Sequence, residues 1–203
     1  MKPFLTVCGP AVVFLQPNID TDVIIRIERL MNVAREDLGK YAFEALRLDE
    51  NGEPVDDCVF NMPHNRGAPI LIAGENFGCG SSREGAVWAL ESMGFQCVIA
   101  ESFGDIFYNN CLQNGILPVR LIRQGIADLV DDVNAGQRVT ADLHAQTISA
   151  SQACSHGFEI DQLKRDALLS GLDDIKSTLR LDAEIVAWQR ADRQSRPWVW
   201  PVE

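Results

Sequence analysis

One unbroken stretch holds the residue types best suited to chemistry: Gly74-Glu75-Asn76-Phe77-Gly78-Cys79-Gly80-Ser81-Ser82-Arg83-Glu84. Its glycines let the backbone pass close to a ligand and adopt positive φ where a turn requires it. Two hydroxyls follow, Ser81 and Ser82, and then Arg83, whose planar guanidinium fits a carboxylate through two parallel hydrogen bonds. An apolar run before it, Pro69 to Ala73, reads as a buried strand, and Ala86 to Met93 behind it reads as a helix. Ser81 and Ser82 are therefore expected where that helix begins, beside free N–H groups and a positive dipole end that attract anions. A hydroxyl, a carboxylate clamp and bare backbone donors meeting at one point make an active-site layout.

Better-known glycine loops do not account for the stretch. A triphosphate-binding loop needs Gly-Lys followed by Ser or Thr, and the dinucleotide fingerprint needs a third glycine where Arg83 stands. The Gly-x-Ser-x-Gly nucleophile elbow is not spelled either. Helix capping would explain Ser81 or Ser82, but not the density of glycine together with Arg83.

The elements that must hold this loop alternate along the chain. Ile70 to Ala73, Cys97 to Ala100 and Ile116 to Leu121 read as strands, with helices over Glu84 to Met93 and Asp105 to Gln113 between them. Asn114-Gly115 closes the second helix. This β-α-β-α-β order predicts an α/β layered domain with parallel pairing. Ala11 to Leu15 reads as a further strand leading into the polar turn Gln16 to Asp22, and Leu48 to Asp57, with Asn51-Gly52, as an exposed loop or hairpin tip. Arg138 to Leu143 and Gln146 to Ser149 can pair as a hairpin. Asp161 to Arg193 is patterned as two helices broken at Ser170 to Asp174. Trp198 and Trp200, in a proline-flanked tail, are expected to pack on the body or on a partner.

Composition narrows the function classes. The 203 residues suit one well-filled core. A formal net charge of −11 disfavours nucleic acid and anionic lipid as partners, both of which need basic surface. No apolar stretch approaches membrane-spanning length, and Gly9-Pro10 interrupts the N-terminal apolar run without a cleavage pattern. The expectation is a cytoplasmic protein with reduced thiols. Its six cysteines are scattered, with no C-x-x-C pair, which disfavours zinc or iron–sulfur ligation by this chain.

Taken together, several motifs resemble one family. Gly78 to Glu84 resembles the signature of the swivelling domain of the aconitase superfamily, and Asn18-Ile19-Asp20-Thr21-Asp22 its N-terminal Asp-Thr-Asp motif. Phe107 to Cys111 with Asn114 to Pro118 is similar to a third motif. Phe158 to Asp161 and Leu169 to Ile175 resemble the C-terminal part of bacterial 3-isopropylmalate dehydratase small subunits. The resemblance covers nearly the whole chain, with its motifs in order. It implies a three-layer β/β/α swivelling fold, here one domain over residues 1–203 with a C-terminal helical extension. It also implies a hydro-lyase of leucine biosynthesis that acts on isopropylmalate only with a separate large subunit. That partner is expected to carry a [4Fe–4S] cluster, so this chain would hold no metal and no cofactor. Cys79, next to the loop, then reads as a small packing residue.

By the same resemblance Ser81 is the base that takes a proton from carbon, and Asp22 joins it as the acidic member of the site, orienting an arginine or the loop. Ser82 and Arg83 are substrate-binding residues for a carboxylate. Two departures stand out: Gly85 where the family commonly has His, and Arg26-Ile27-Glu28-Arg29-Leu30-Met31 where proline commonly follows the Asp-Thr-Asp segment. Arg26 and Arg29 are accordingly candidates for a second carboxylate or plain surface charges. The same chemistry on 2-methylmalate, homoaconitate or another hydroxy diacid stays open, as does a non-catalytic anion-binding module.

Overall fold

The structure, a computed structural model, describes residues 1–151 and 154–201. The strands are β1 (Thr6–Gly9), β2 (Ala11–Phe14), β3 (Ile70–Ala73), β4 (Cys97–Ala100), β5 (Leu117–Arg120), β6 (Val139–Asp142), β7 (Thr147–Ser149) and β8 (Ser155–Gly157). The helices are α1 (Thr21–Ile24), α2 (Ile27–Asn32), α3 (Glu44–Arg47), α4 (Glu84–Met93), α5 (Asp105–Asn114), α6 (Arg123–Asn134), α7 (Gln162–Ser170), α8 (Asp174–Leu179) and α9 (Asp182–Ser195).

Strands β2-β3-β4-β5 form an all-parallel sheet in that order. A parallel sheet buried on both faces requires strands that are apolar without alternation, and Ile70-Leu71-Ile72-Ala73 and Cys97-Val98-Ile99-Ala100 are such runs. Leu71, Ala73, Val98 and Ala100 pack under α4 and α5 with Ala86, Leu90 and Phe107. Their neighbours Ile70, Ile72, Cys97 and Ile99 face the other way, onto Val7, Val139, Ala141 and Ile148 of a second sheet. That second sheet is antiparallel, ordered β1-β6-β7-β8. Helices, parallel sheet and antiparallel sheet give the three-layer β/β/α arrangement expected of the fold.

The hairpin read over Arg138 to Ser149 forms as β6 and β7, and β1 and β8 extend it on either side. Helices α4 and α5 end on left-handed glycines, Gly94 at φ 102° and Gly115 at φ 85°. Two expectations need correction. The C-terminal region has three helices, not two, because the chain turns at Arg180–Leu181 as well as at Gly171. Helix α6 was not anticipated at all. In the tail, the Trp200 indole N–H donates to Asp192 Oδ2 at 3.0 Å, while Trp198 remains 77% exposed. Among the described residues no helix is long and apolar enough to cross a membrane.

Candidate active site

The loops leaving β2, β3 and β4 emerge at one end of the parallel sheet, the end at which open α/β sheets bind ligands. They are stitched together by backbone bonds. Asn18 N donates to Glu75 O (2.9 Å), Gly78 N to Ile19 O (2.7 Å) and Thr21 N to Cys79 O (3.1 Å). Phe77 N donates to Ser102 O (3.1 Å), and Gly104 N donates back to Phe77 O (3.0 Å). Gly78 has no tolerance for a side chain: φ is +70°, and a Cβ would lie 2.2 Å from the Phe107 ring.

Each residue of Asp20-Thr21-Asp22 has a separate task. Asp20 caps α1, its Oδ1 accepting from Asp22 N (2.8 Å) and Val23 N (2.9 Å). Thr21, 1% exposed, donates its hydroxyl to the Ser81 carbonyl oxygen at 3.0 Å. The Asp22 carboxylate accepts a hydrogen bond from Arg83 Nη1 in an ion pair whose arginine is largely covered and whose aspartate is half open. The sequence reading singled out Asp22 alone; Asp20 and Thr21 sat within the same motif, Asp20 with a local capping task and Thr21 with one that depends on where the distant loop arrives.

Ser81 and Ser82 are exposed. Their expected position at the helix start needs correction: α4 begins at Glu84, and Arg83 is its N-cap, extended at φ −124° and ψ 102° with no side-chain capping bond. The serines therefore stand in the loop just ahead of the helix, not capping it. The helix end is braced from behind, where Asn114 Nδ2 donates to Glu84 Oε1 at 2.8 Å and Asn114 Oδ1 accepts from Trp88 Nε1 at 3.0 Å.

The two outlying arginines are differently placed. Arg29 makes a bidentate pair with Glu44, Nη2 to Oε1 at 2.6 Å and Nε to Oε2 at 2.8 Å, and its guanidinium lies 4.3 Å from the Tyr41 ring centroid. Its carboxylate partner is thus internal, and the Glu44 carboxyl is held below its ordinary value chiefly by the Arg29 hydrogen bonds. Arg26 is exposed at the N-terminus of α2. Cys79 is half-buried beside Asp20, while Cys97 and Cys111 are buried thiols pushed upward by desolvation. Among the described residues, no three or more His, Cys, Asp or Glu side chains are grouped to hold a metal ion.

Fold and loop together define a domain of the aconitase C-terminal type, and the family model of that description matches residues 1–124. A 3-isopropylmalate dehydratase small subunit from Paramagnetospirillum magneticum is 45% identical over 201 residues, 98% of this chain and 100% of that one. One from Rhizobium meliloti is 46% identical over 200 residues, with the same coverage of both chains. The crystal structure of a 3-isopropylmalate dehydratase from Methanocaldococcus jannaschii superposes with a TM-score of 0.65 at 29% identity, covering 89% of this chain and 99% of that chain. The chain belongs to the 3-isopropylmalate dehydratase small-subunit family.

Proposed function

We propose that this chain is the small subunit of a two-chain hydro-lyase that interconverts 2-isopropylmalate and 3-isopropylmalate in leucine biosynthesis. One observation carries the reading: a chain related to such subunits along its whole length exposes Ser81 and Ser82 beside the Asp22–Arg83 pair. Residues 1–203 are read as one swivelling domain with a helical C-terminal extension, which the pairing of β1 with the distant β6 supports.

Ser81 takes the proton from the carbon next to a substrate carboxylate. A serine hydroxyl is a weak acid, so its alkoxide requires positive charge and donors close by. Arg83 supplies the charge, and the first turn of α4, opening at Glu84, supplies the positive end of a dipole. Asp22 engages Nη1 of Arg83. The opposite edge, Nε with Nη2, has the fork geometry for a carboxylate, and Ser82 adds a hydroxyl donor. Loss of the proton and of hydroxide from adjacent carbons gives an alkene diacid and water. Re-addition with the two positions interchanged completes the isomerisation.

A [4Fe–4S] cluster on the large subunit is the expected Lewis acid for the leaving hydroxyl. The test is turnover by the complex of this chain with its large subunit against a panel of hydroxy diacids. Isopropylmalates should be turned over fastest; a preference for 2-methylmalate or homoaconitate reassigns the substrate, and no turnover of any diacid favours a binding module. Purified alone, the chain should carry no iron and no dehydratase activity, and stoichiometric cluster iron on it would refute the two-subunit reading.

A further inference from the structure

Gly85 is buried in the first turn of α4, two residues beyond Arg83. A Cβ at this position would lie 2.4 Å from Leu30 Cδ2, 2.6 Å from Cδ1 and 3.1 Å from Cγ. All three contacts fall on one side chain, so the isobutyl group of Leu30 fills the notch that the missing side chain leaves. Leu30 sits on α2 and packs against the core between the parallel sheet and its helices. Both positions where the sequence departs from its family pattern, Gly85 and the segment Arg26 to Met31, are therefore a single packing feature.

The stretch 21–30 meets the stretch 81–85 at three points: Thr21 at the Ser81 carbonyl, Asp22 at Arg83, and Leu30 at Gly85. Asp22 is 54% exposed, and a solvent-facing ion pair holds geometry weakly. Buried apolar contact is close-packed and transmits small displacements. Only Ile25 and Arg26 separate α1 from α2, and Ile24, the last residue of α1, and Ile25 are buried, 0% and 1% exposed, which leaves little slack between Leu30 and Asp22.

We infer that Leu30, seated against Gly85, is a positioning residue that sets how Asp22 meets Arg83 and hence how Arg83 presents itself to a substrate carboxylate. The inference rests on the reading that Arg83 grips substrate. Glycine at 85 is then required by Leu30 and not by the backbone. Gly85 has an ordinary helical conformation, and alanine is the better helix former there. Rotation about χ2 of Leu30 leaves Cγ at 3.1 Å, so the added methyl group of Gly85→Ala displaces the side chain or α2.

The experiment uses the complex with the large subunit and measures KM and kcat for the diacid separately. Gly85→Ala should raise KM about tenfold or more, with a smaller change in kcat, as expected when binding geometry is lost and the base is intact. Leu30→Ala in the Gly85→Ala background should recover part of the native KM, because the clash is relieved but the seated isobutyl group is gone with it. Should Gly85→Ala fail to fold or to pair, restoration of folding and pairing by the same second substitution supports the contact. A native KM in Gly85→Ala, or a double variant no better than the single one, overturns the inference. Arg83→Lys, measured beside them, tests the underlying assignment by itself: a native KM there removes Arg83 from substrate binding whatever the Leu30–Gly85 pair does.

Discussion

The buried hydroxyl of Thr21 donates to the carbonyl oxygen of Ser81, 60 residues away in sequence, and so fixes the backbone that carries the proposed base. Valine has nearly the same shape as threonine but cannot donate, so Thr21→Val isolates this bond. One neutral hydrogen bond contributes about 0.5–1.5 kcal/mol net, which lowers Tm by roughly 2–4 °C per kcal/mol in a domain of this size. The expected result is a modest drop in Tm with a larger, about tenfold, fall in kcat. Thr21→Ser keeps the donor and should keep activity. A Thr21→Val enzyme with native kcat would mean that Ser81 needs no such support.

Ser81→Ala should leave folding and pairing with the large subunit intact, since an exposed side chain loses one oxygen. Turnover should fall ~10²–10⁴-fold, the range for removal of an acid–base group. Near-native turnover in single-turnover assays would move the base to Ser82.

The part of the fold that was legible consists of strands whose apolar runs are continuous and whose helices end in glycine. Ile70 to Ala73 and Cys97 to Ala100 admit no other reading when Gly94 and Gly115 mark the helix ends between successive strands. Helix α6 gave no such signal. It carries four acidic or basic residues on a sequence interrupted by Gly125, and only Gly125, Ile126 and Leu129 of it are buried. Its stability comes from docking on the second sheet, not from propensity. Strand β8, Ser155-His156-Gly157, has no strand pattern and exists because β7 offers it an edge.

The site was legible as a set of residue types but not as an arrangement. Arg83 and the serines follow from the loop itself. The task of Thr21, and the reason for glycine at 85, depend on groups that meet only in the fold, the Ser81 carbonyl and the Leu30 side chain. The helix was read from Glu84, where α4 does begin, but the serines were set at that start, whereas the extended Arg83 is the N-cap and the loop ahead of it is pinned at Ser81 by Thr21.

Arg29 and Glu44 give a pH prediction. The Glu44 carboxyl lies below its ordinary value of 4.5, held there chiefly by the Arg29 hydrogen bonds. A depressed folded value means that the pair stabilises fully above 4.5 and that this contribution is lost as pH falls through the folded value. Urea midpoints of the native chain and Glu44→Gln should therefore differ at about pH 7 and draw together as the pH falls below 4.5 and through the folded value. A gap that is constant across that range would trace the effect to packing of Glu44 and not to its charge.

Asp22 should act through Arg83, not on the substrate directly. The two side chains share an ion pair, so removing either one should disturb the same binding step. Arg83→Lys keeps the charge but loses the planar fork. A lost charged hydrogen bond costs roughly 1.5–3 kcal/mol, equivalent to a fall in kcat/KM of about tenfold or more. Asp22→Asn alone should lower kcat/KM less, because arginine keeps its fork and loses only its orientation. In the Arg83→Lys background, Asp22→Asn should then have little further effect, since residues in one network do not add. The cycle is read from kcat/KM of the four paired enzymes. Additive losses would show that Asp22 contacts substrate by itself and belongs with Ser81 among the residues that do the chemistry.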